Sequence, residues 1–296
     1  TREGRDWFVK VRVGPVNEAS LLVPAALNEL GVRDVLAPLR TRSGDLRRPL
    51  PNGDSVILYP FIEGESGKDI GLSDEQWRRF GAALRAVHGS GLETRFRGLL
   101  SRETFALPSA ALVRQLSALV RETEFESHAA QAFASFWRDH QARIDAMLDR
   151  AETLGHFLQA KPFENVLCHT DIHAANILIG DDGRIWLIDW DAPLIAPRER
   201  DLLFVIGSRI ARAVEPFQED LFFEGYGPTA IDRDALIYYR YERIIEDLGE
   251  FGRSVFLAPD LSEVMRESEA AFGRSFFARG ADLDRAETVS RTCWPR

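Results

Sequence analysis

The stretch that decides the fold is Leu167-Cys-His-Thr-Asp-Ile-His-Ala-Ala-Asn-Ile-Leu-Ile-Gly180, followed by Arg184-Ile-Trp-Leu-Ile-Asp-Trp-Asp191. Two apolar, partly β-branched runs, residues 177–179 and 185–188, flank the polar turn Gly180-Asp-Asp-Gly183. This pattern predicts two antiparallel strands joined by a tight loop. The remainder of the stretch is unusually rich in His, Asp and Asn, which are residues that carry chemistry.

The predicted hairpin places oxygen-bearing side chains together. Asn176 begins one strand and lies opposite Ile188 and Asp189 at the end of the other, and Asp171 comes shortly before Asn176. Hard oxygen ligands grouped in this way suit a magnesium ion that keeps several waters and also binds a phosphate. We therefore predict a phosphoryl-transfer site, with Asn176 and Asp189 as metal ligands and Asp171 accepting or orienting the proton of a hydroxyl group.

The same residues carry a resemblance to a known family. His169-x-Asp171-x4-Asn176, followed by Ile188-Asp-Trp190, resembles the catalytic loop and metal-binding aspartate of the aminoglycoside phosphotransferase family, which is related to the protein kinases. Further matching runs lie between Trp7 and about Phe251, and they include Tyr59–Ile62, Ala196–Leu202, Glu224–Gly227 and Tyr239–Asp247.

The resemblance implies an α+β, bilobal, protein-kinase-like fold. A small mixed N-terminal lobe would occupy residues 1–62, and a large, mainly helical C-terminal lobe would occupy residues 63–296. Family members have two strands and a phosphate-covering loop before the position of Lys10, whereas no glycine-rich turn precedes Lys10 here. We therefore expect the N-terminal lobe to be incomplete, and we expect a chain that begins at Thr1 to bind nucleotide poorly.

Lys10 is the first candidate for contacting a phosphate. It is one of three lysines among 37 basic residues, and it lies within an apolar strand pattern. A compact ammonium group on a strand can reach phosphate oxygens, although an outward-facing surface lysine would give the same pattern. The resemblance implies that Glu18 pairs with Lys10. Glu29 is a competing partner, and Glu18 at a solvated helix start is the alternative.

The resemblance also implies ATP as the cofactor, together with Mg²⁺. Tyr59, Phe61 and Ile62 resemble the hinge whose backbone groups contact adenine, and an ordinary buried strand end would look the same.

Acidic residues on one long predicted helix suggest the kind of substrate. Glu242, Glu246 and Asp247 lie close together on it and could form an anionic wall that binds a cationic substrate. The alternative is a solvated face whose carboxylates are neutralised by Arg240 and Arg243.

Several polar residues near the hairpin have more than one interpretation. Asp191 either joins the metal or substrate site or is a plain turn carboxylate. His173 either lines the substrate mouth or braces the loop, as the resemblance implies for His169. His169, Asp171 and His173 would also suit zinc, but no motif elsewhere in the sequence supplies further ligands. Asp201 is expected to cap a helix N-terminus and to support the catalytic loop.

Composition restricts the functional classes. The chain of 296 residues has a net charge of −9, which argues against nucleic acid as a partner and favours attraction of cations. No apolar run approaches the ~20 residues of a membrane span, so no membrane association is expected. Its two cysteines cannot form a disulfide framework, which favours a cytoplasmic location.

The spacing of apolar residues and the positions of capping and turn residues predict the remaining helices and strands. Ser73 and Gln76 form a capping box that begins a helix ending at Gly89. Other predicted helices cover residues 17–30, 110–122, 129–154, 201–214, 232–255 and 262–277, and predicted strands cover residues 7–11 and 56–61.

The function that these observations favour is ATP-dependent O-phosphorylation of a small hydroxylated cationic compound. Spectinomycin or a related aminocyclitol or aminoglycoside antibiotic is the expected substrate, and antibiotic resistance is the expected role. The alternatives are a metabolic kinase of the same fold that acts on choline, homoserine or a sugar, or a nucleotide-binding pseudokinase.

Overall fold

The computed structural model describes residues 6–293, and the chain divides into two compact units. Unit 1 contains the chain up to Glu103 together with Phe163–Ala230, and unit 2 contains Thr104–Pro162 and the chain from Ile231 onward. The predicted lobe boundary after residue 62 falls inside unit 1 and stays a prediction.

Unit 1 combines short strands with helices. Its strands are β1 (Trp7–Arg12), β2 (Arg48–Pro49), β3 (Ser55–Pro60), β4 (Gly64–Ser66), β5 (Asn165–Cys168), β6 (Ile177–Gly180), β7 (Ile185–Leu187) and β8 (Leu194–Pro197). Its helices are α1 (Ala19–Glu29), α2 (Gly67–Ile70), α3 (Asp74–His88), α4 (Leu92–Arg95), α8 (Glu199–Leu202) and α9 (Pro216–Tyr226), and a 3₁₀ turn covers Ala174–Asn176.

The strands within the described residues form small antiparallel sheets. Their orders are β1-β3-β2, β4-β6-β7 and β5-β8. In the first sheet, Lys10 lies opposite Ile57, whose side chain is buried against α1 residues such as Leu21. The β6–β7 hairpin has the predicted antiparallel pairing, with Ile177 opposite Leu187. Short apolar strands therefore fix the positions of the polar residues that flank them.

Helix α3 begins and packs as its sequence predicts. The Ser73 side chain accepts from the Gln76 backbone N–H, and the Gln76 side chain accepts from the Ser73 backbone N–H, so the predicted capping box is present. α3 packs against α9 at very short range. A Cβ at Gly81 would clash with the Phe222 carbonyl oxygen, and one at Gly225 would clash with the Arg78 carbonyl. Glycine is therefore required on both sides of this contact.

Unit 2 is helical. Its helices are α5 (Ala110–Glu122), α6 (His128–Asp139), α7 (Gln141–Gln159), α10 (Arg233–Leu257), α11 (Glu263–Ser275) and α12 (Asp282–Cys293). α10 packs against α5, α7 and α11. Side chains from several helices meet in its core, where Trp137 Nε1 donates to Ser117 Oγ at 2.9 Å.

The prediction of one helix over residues 129–154 is wrong, because the chain breaks into α6 and α7 at His140. The His140 ring stacks on Phe136, and its Nδ1 donates to the Phe136 carbonyl at 2.9 Å. The backbone of His140 has φ −105° and ψ 6°, which lies outside the α-helical region, so the helix is interrupted at this residue.

The prediction of a helix over residues 201–214 is also wrong. α8 ends at Leu202 and passes into turns that end at Gly207, whose φ is +58°. This left-handed conformation suits glycine and terminates helical hydrogen bonding. The Gly207 backbone N–H donates to Glu219 Oε1 at 2.6 Å, which fixes the turn.

None of the helices formed by residues 6–293 is both long enough and apolar enough to cross a membrane.

Candidate active site

The β6–β7 hairpin brings Asn176 and Asp189 to one end, as predicted. Ile188 N–H donates to the Asn176 carbonyl at 3.0 Å, so Asp189 follows directly from the residue opposite Asn176. Asp189 has a φ of +64°, a left-handed conformation that is uncommon for residues other than glycine. The strand therefore ends in a sharp turn at the aspartate, and strained residues of this kind are frequent at functional sites.

Asn176 orients Asp171. Its side-chain Nδ2 donates to the Asp171 carbonyl at 2.7 Å and to the Asp171 carboxylate Oδ2 at 3.0 Å. His173 Nε2 lies 3.4 Å from the other carboxylate oxygen, Oδ1. The Asp171 side chain is 37% exposed, so small molecules can reach it. Because the Asn176 amide nitrogen faces Asp171, its amide oxygen faces away and can contact a cation.

His169 braces the loop that carries Asp171. Its Nε2 donates to the Ile188 carbonyl at 2.8 Å, so its Nδ1 is the ring atom that accepts the Asp171 backbone N–H at 3.3 Å. Burial lowers the pKa of His169 and so favours this neutral tautomer. Both ring nitrogens are thus engaged, which argues against the zinc interpretation. The grouping of potential metal ligands within residues 6–293 that lies close enough to share an ion is instead His88, Cys168 and Asp201.

Asp201 supports the same loop through hydrogen bonds to its backbone. Its fully buried carboxylate accepts the backbone N–H groups of His169 at 2.9 Å and Thr170 at 2.7 Å. Thr170 has a φ of +79°, and Asp201 therefore holds a strained peptide in place. The predicted support of the loop by Asp201 is present. The predicted N-cap is wrong, because α8 begins one turn earlier and its N-cap is Arg198.

The residues that hold Asp201 were not predicted. His88 Nε2 donates to Asp201 Oδ2 at 3.0 Å, and His88 Nδ1 lies 2.7 Å from the Tyr226 hydroxyl. Burial raises the pKa of Tyr226 to about 12, so its hydroxyl keeps its proton at neutral pH. Burial by itself would raise the pKa of Asp201, but the hydrogen bonds that its carboxylate accepts from the His88 ring and from the His169 backbone N–H outweigh burial and lower it. The carboxylate is therefore ionised.

Three charged groups meet beside Asp189. Lys10 Nζ lies 3.0 Å from Asp189 Oδ1 and 3.4 Å from Asp191 Oδ1. The Arg12 guanidinium also pairs with Asp191 Oδ1, and Asn17 Nδ2 donates to the Asp191 carbonyl at 3.0 Å. The structure therefore brings Lys10, Asp189 and Asp191 together, and it adds Arg12 and Asn17.

Glu18 does not pair with Lys10 in this structure, which corrects the partner implied by the resemblance. Glu18 Oε1 instead accepts from Arg47 Nη2 at 2.7 Å and Nε at 3.0 Å. The competing candidate, Glu29, pairs with Arg40. The physical reason is that an arginine lies beside each glutamate, whereas the ammonium of Lys10 lies between two aspartates. A contribution of Glu18 to nucleotide binding stays a prediction.

A cavity of about 300 Å³ adjoins the charged cluster. Its walls are mostly apolar, and its charged residues Lys10, Asp189 and Asp191 lie in contact with one another. The lining residues are Phe8, Lys10, Ser20, Pro24, Leu36, Tyr59, Pro60, Phe61, Ile62, Asn176, Leu178, Ile188, Asp189, Trp190 and Asp191. Burial raises the pKa of Tyr59 to about 12, so this wall stays uncharged. A mostly apolar cavity with a few polar groups is typical of small-molecule sites.

The predicted hinge residues Tyr59, Phe61 and Ile62 all line this cavity. Other lining residues, such as Leu36, Leu178 and Trp190, were not predicted as site residues. Nothing in their local sequence distinguishes them from core positions. Arg12 was detectable, because residues two apart on a strand share a face and Arg12 follows Lys10 at that spacing.

The predicted substrate residues lie on α10 in unit 2. Glu242 is 8% exposed, and Glu246 is half-buried. Asp247 accepts from Arg243 Nε at 3.0 Å, so at least one carboxylate of the predicted anionic wall is neutralised by its own helix. Substrate binding by these residues stays a prediction.

The loop, hairpin and cavity together form the candidate active site. A family model described as "Phosphotransferase enzyme family" matches residues 1–237. The chain therefore belongs to the aminoglycoside phosphotransferase (APH) group of phosphotransferase enzymes, and it is a small-molecule phosphotransferase that acts on hydroxyl groups. The pseudokinase alternative is accordingly set aside.

Solved structures agree with this assignment. A crystal structure of spectinomycin phosphotransferase in complex with ADP and spectinomycin matches this chain with a TM-score of 0.86 and 29% identity. The match covers 98% of this chain and 87% of the chain in that structure. An AMP-bound structure of spectinomycin phosphotransferase matches with a TM-score of 0.85 and 30% identity, over 96% of this chain and 88% of the other. An aminoglycoside phosphotransferase from Alicyclobacillus acidocaldarius has a TM-score of 0.60 at 15% identity, over 98% and 88%, and supports the fold alone.

The predicted family and fold class are therefore confirmed. The chain has the kinase-like aminoglycoside phosphotransferase fold, which is a mixed α+β fold with small sheets and a mainly helical C-terminal part.

Proposed function

We propose that this chain transfers the γ-phosphoryl group of ATP to a hydroxyl group of spectinomycin or a related cationic aminocyclitol. The observation that carries the proposal is that Asn176, Asp189 and Lys10 line one largely apolar cavity, and that Asn176 also holds the carboxylate of Asp171. A cytoplasmic location, where ATP is available, fits this activity.

The cavity suits a nucleotide. Its apolar lining residues, which include Phe61 and Ile62, could pack against an adenine base, and its lining also includes the cation Lys10. Phosphate groups would then lie toward Lys10 and Asp189. The two spectinomycin phosphotransferase structures contain ADP or AMP, which supports nucleotide binding by a chain of the same fold.

The residues beside the cavity also fit a magnesium ion. The Asn176 amide oxygen and the Asp189 carboxylate are hard oxygen donors at the same end of the hairpin, and this donor set is the one that Mg²⁺ prefers. We assign both residues as its ligands. A bound magnesium ion would neutralise charge on the phosphate oxygens of the nucleotide.

Asp171 acts on the accepting hydroxyl. Its carboxylate is held by Asn176 and approached by His173, while a third of its surface remains accessible. A fixed and accessible carboxylate can orient a hydroxyl group and accept its proton as the phosphoryl group transfers. His173, whose Nε2 lies 3.4 Å from Asp171 Oδ1, is then placed to contact the substrate.

The substrate proposal has two supports. Spectinomycin carries protonated amines, and the acidic residues of α10, Glu242, Glu246 and Asp247, could bind them by charge-assisted hydrogen bonds. Spectinomycin is also the compound in the complex with 29% identity to this chain. Because Asp247 already pairs with Arg243, we assign the larger effect to Glu246.

The test is an ADP-release assay with ATP, magnesium and a substrate panel. Spectinomycin should be the preferred substrate over other aminoglycosides, choline, homoserine and neutral sugars. Asp171→Asn should lower kcat by about 100-fold or more, which is the usual scale for losing a positioned base, without changing Tm. Near-wild-type turnover in Asp171→Asn would overturn its assignment.

A second comparison tests the acidic face of α10. Glu246→Gln should raise KM for spectinomycin by roughly tenfold with little change in KM for ATP, since one charge-assisted contact is lost. Glu250→Gln is the matched control, because Glu250 lies one turn further on and is exposed and paired with Arg253. Equal KM values in both variants, or preference for a neutral sugar, would refute the substrate proposal but not phosphotransfer.

A further inference from the structure

Arg12 lies beside Lys10 in the charged cluster next to Asp189. It lies two residues after Lys10 on β1, so both side chains project from the same face of the strand. Its guanidinium contacts Asp191 Oδ1, and the same oxygen lies 3.4 Å from Lys10 Nζ. A single carboxylate oxygen therefore holds two cations side by side.

Asp191 is itself fixed in place. Its backbone carbonyl accepts from Asn17 Nδ2 at 3.0 Å, and the other side-chain atom of Asn17, Oδ1, accepts from the Ala19 backbone N–H at the start of α1. Both the side chain and the main chain of Asp191 are thus anchored to the segment that runs from β1 into α1. An anchored Asp191 can therefore hold Lys10 and Arg12 in fixed positions.

The charges in this cluster also point to a role for Arg12. Lys10 and Arg12 together balance Asp189 and Asp191, so the group is neutral as it stands. A nucleotide diphosphate or triphosphate adds several negative charges beside this cluster. A bound magnesium ion would offset part of this charge, but Lys10 is already paired with Asp189, so Arg12 supplies a further cation at the same place.

The geometry points to Arg12 as a second phosphate-binding residue, which contacts the diphosphate or triphosphate part of the nucleotide beside Lys10. This inference rests on the proposed nucleotide-binding function. A planar guanidinium binds phosphate oxygens in pairs, whereas an ammonium group acts as a point charge, so the two residues supply different contacts. The Arg12 side chain is 35% exposed, and phosphate oxygens can reach it. If Arg12 only formed a surface ion pair with Asp191, it would contribute little to the stability of the fold.

The experiment compares ligands that differ in phosphate number. Adenosine, AMP and ADP are titrated calorimetrically, with magnesium present, into the wild type and into Arg12→Gln. Loss of one charge-assisted contact in a partly exposed position should weaken ADP binding by about tenfold. Adenosine should bind with an affinity within about twofold of the wild type, which also shows that the cavity is still folded.

Two further variants complete the design. Arg48→Gln is the matched control, because Arg48 is an exposed arginine of the same sheet, on β2, and it should bind ADP like the wild type. Arg12→Lys keeps the charge but loses the planar fork, and it should weaken ADP binding by about threefold.

Each outcome bears on a separate claim. Unchanged ADP affinity in Arg12→Gln, or an equal loss for adenosine and ADP, would overturn the role of Arg12 in phosphate binding. A wild-type protein that binds ADP no more tightly than adenosine would overturn the nucleotide proposal itself. A loss confined to the phosphate-bearing ligands supports the inference.

Discussion

Replacing Asp201 by asparagine should weaken both the fold and the catalytic loop. The carboxylate accepts the N–H groups of His169, Thr170 and His88 at distances of 2.9, 2.7 and 3.0 Å. An asparagine has the same shape but only one accepting oxygen. In either orientation, its NH₂ group faces at least one of these donors.

The size of the effect follows from that mismatch. One lost hydrogen bond to a charged acceptor costs roughly 1.5–3 kcal/mol, and a buried donor left facing another donor adds about 1–3 kcal/mol. The total of about 2.5–6 kcal/mol brackets the usual cost of breaking a buried charged pair, about 3–5 kcal/mol. It should lower Tm on the order of 10 °C. Since Asp201 holds the strained Thr170 peptide, kcat should fall as well.

The assay is urea denaturation, with kcat measured on the same preparations. Asp181→Asn is the matched control, because Asp181 is an exposed aspartate in the β6–β7 turn. A free energy of unfolding for Asp201→Asn within about 0.5 kcal/mol of the control would refute the argument, since surface substitutions fall in that range.

Acid provides an independent check on Asp201. Its pKa is lowered in the folded state, so the charge of Asp201 contributes stability above the pKa of an unfolded aspartate, about 4. This contribution is lost as the pH falls through the lower folded pKa. The difference in stability between wild type and Asp201→Asn should therefore narrow below about pH 4. A difference that stays constant down to pH 2 would contradict the ionised carboxylate.

Further predictions follow from other contacts. Asp189→Ala should abolish most of the magnesium-dependent gain in ADP affinity, which calorimetry with and without magnesium measures; an unchanged gain would remove Asp189 from the metal site. Gly225→Ala should destabilise the fold by about 3 kcal/mol through its clash with the Arg78 carbonyl, whereas Gly98→Ala, which meets open space, should be nearly neutral in the same urea assay. Cys168 is fully buried and burial raises its thiol pKa, so peptide-resolved alkylation should modify it only in urea, and modification of the native protein would contradict its burial.

The part of the site that sequence could predict lies close together along the chain. Asp171, Asn176 and Asp189 are joined by a loop and one hairpin, and apolar periodicity with a polar turn is enough to bring them together. The capping box of α3 is predictable for the same reason, because Ser73 and Gln76 satisfy each other within one turn.

The part that sequence could not predict depends on distant segments. His88 and Tyr226 meet Asp201 through the packing of α3 against α9, and no local pattern connects them. The predicted pairing of Glu18 with Lys10 is wrong for a similar reason. Once β2 and β3 are formed, Arg47 lies beside Glu18 and Lys10 does not. Charge alone leaves several pairings open, and only the tertiary fold selects one.

The support of the catalytic loop also constrains when the enzyme can become active during its synthesis. The loop peptides at His169 and Thr170 are fixed by Asp201, which is held by His88 and, through it, by Tyr226 near the end of α9. Contacts between residues far apart in sequence form late. On the ribosome, the hairpin can pair as soon as it emerges, but the His88 that holds Asp201 lacks its own partner until the chain has been made beyond Tyr226. A nascent chain that ends before α9 would therefore carry every residue of the reacting centre without the full support of its loop.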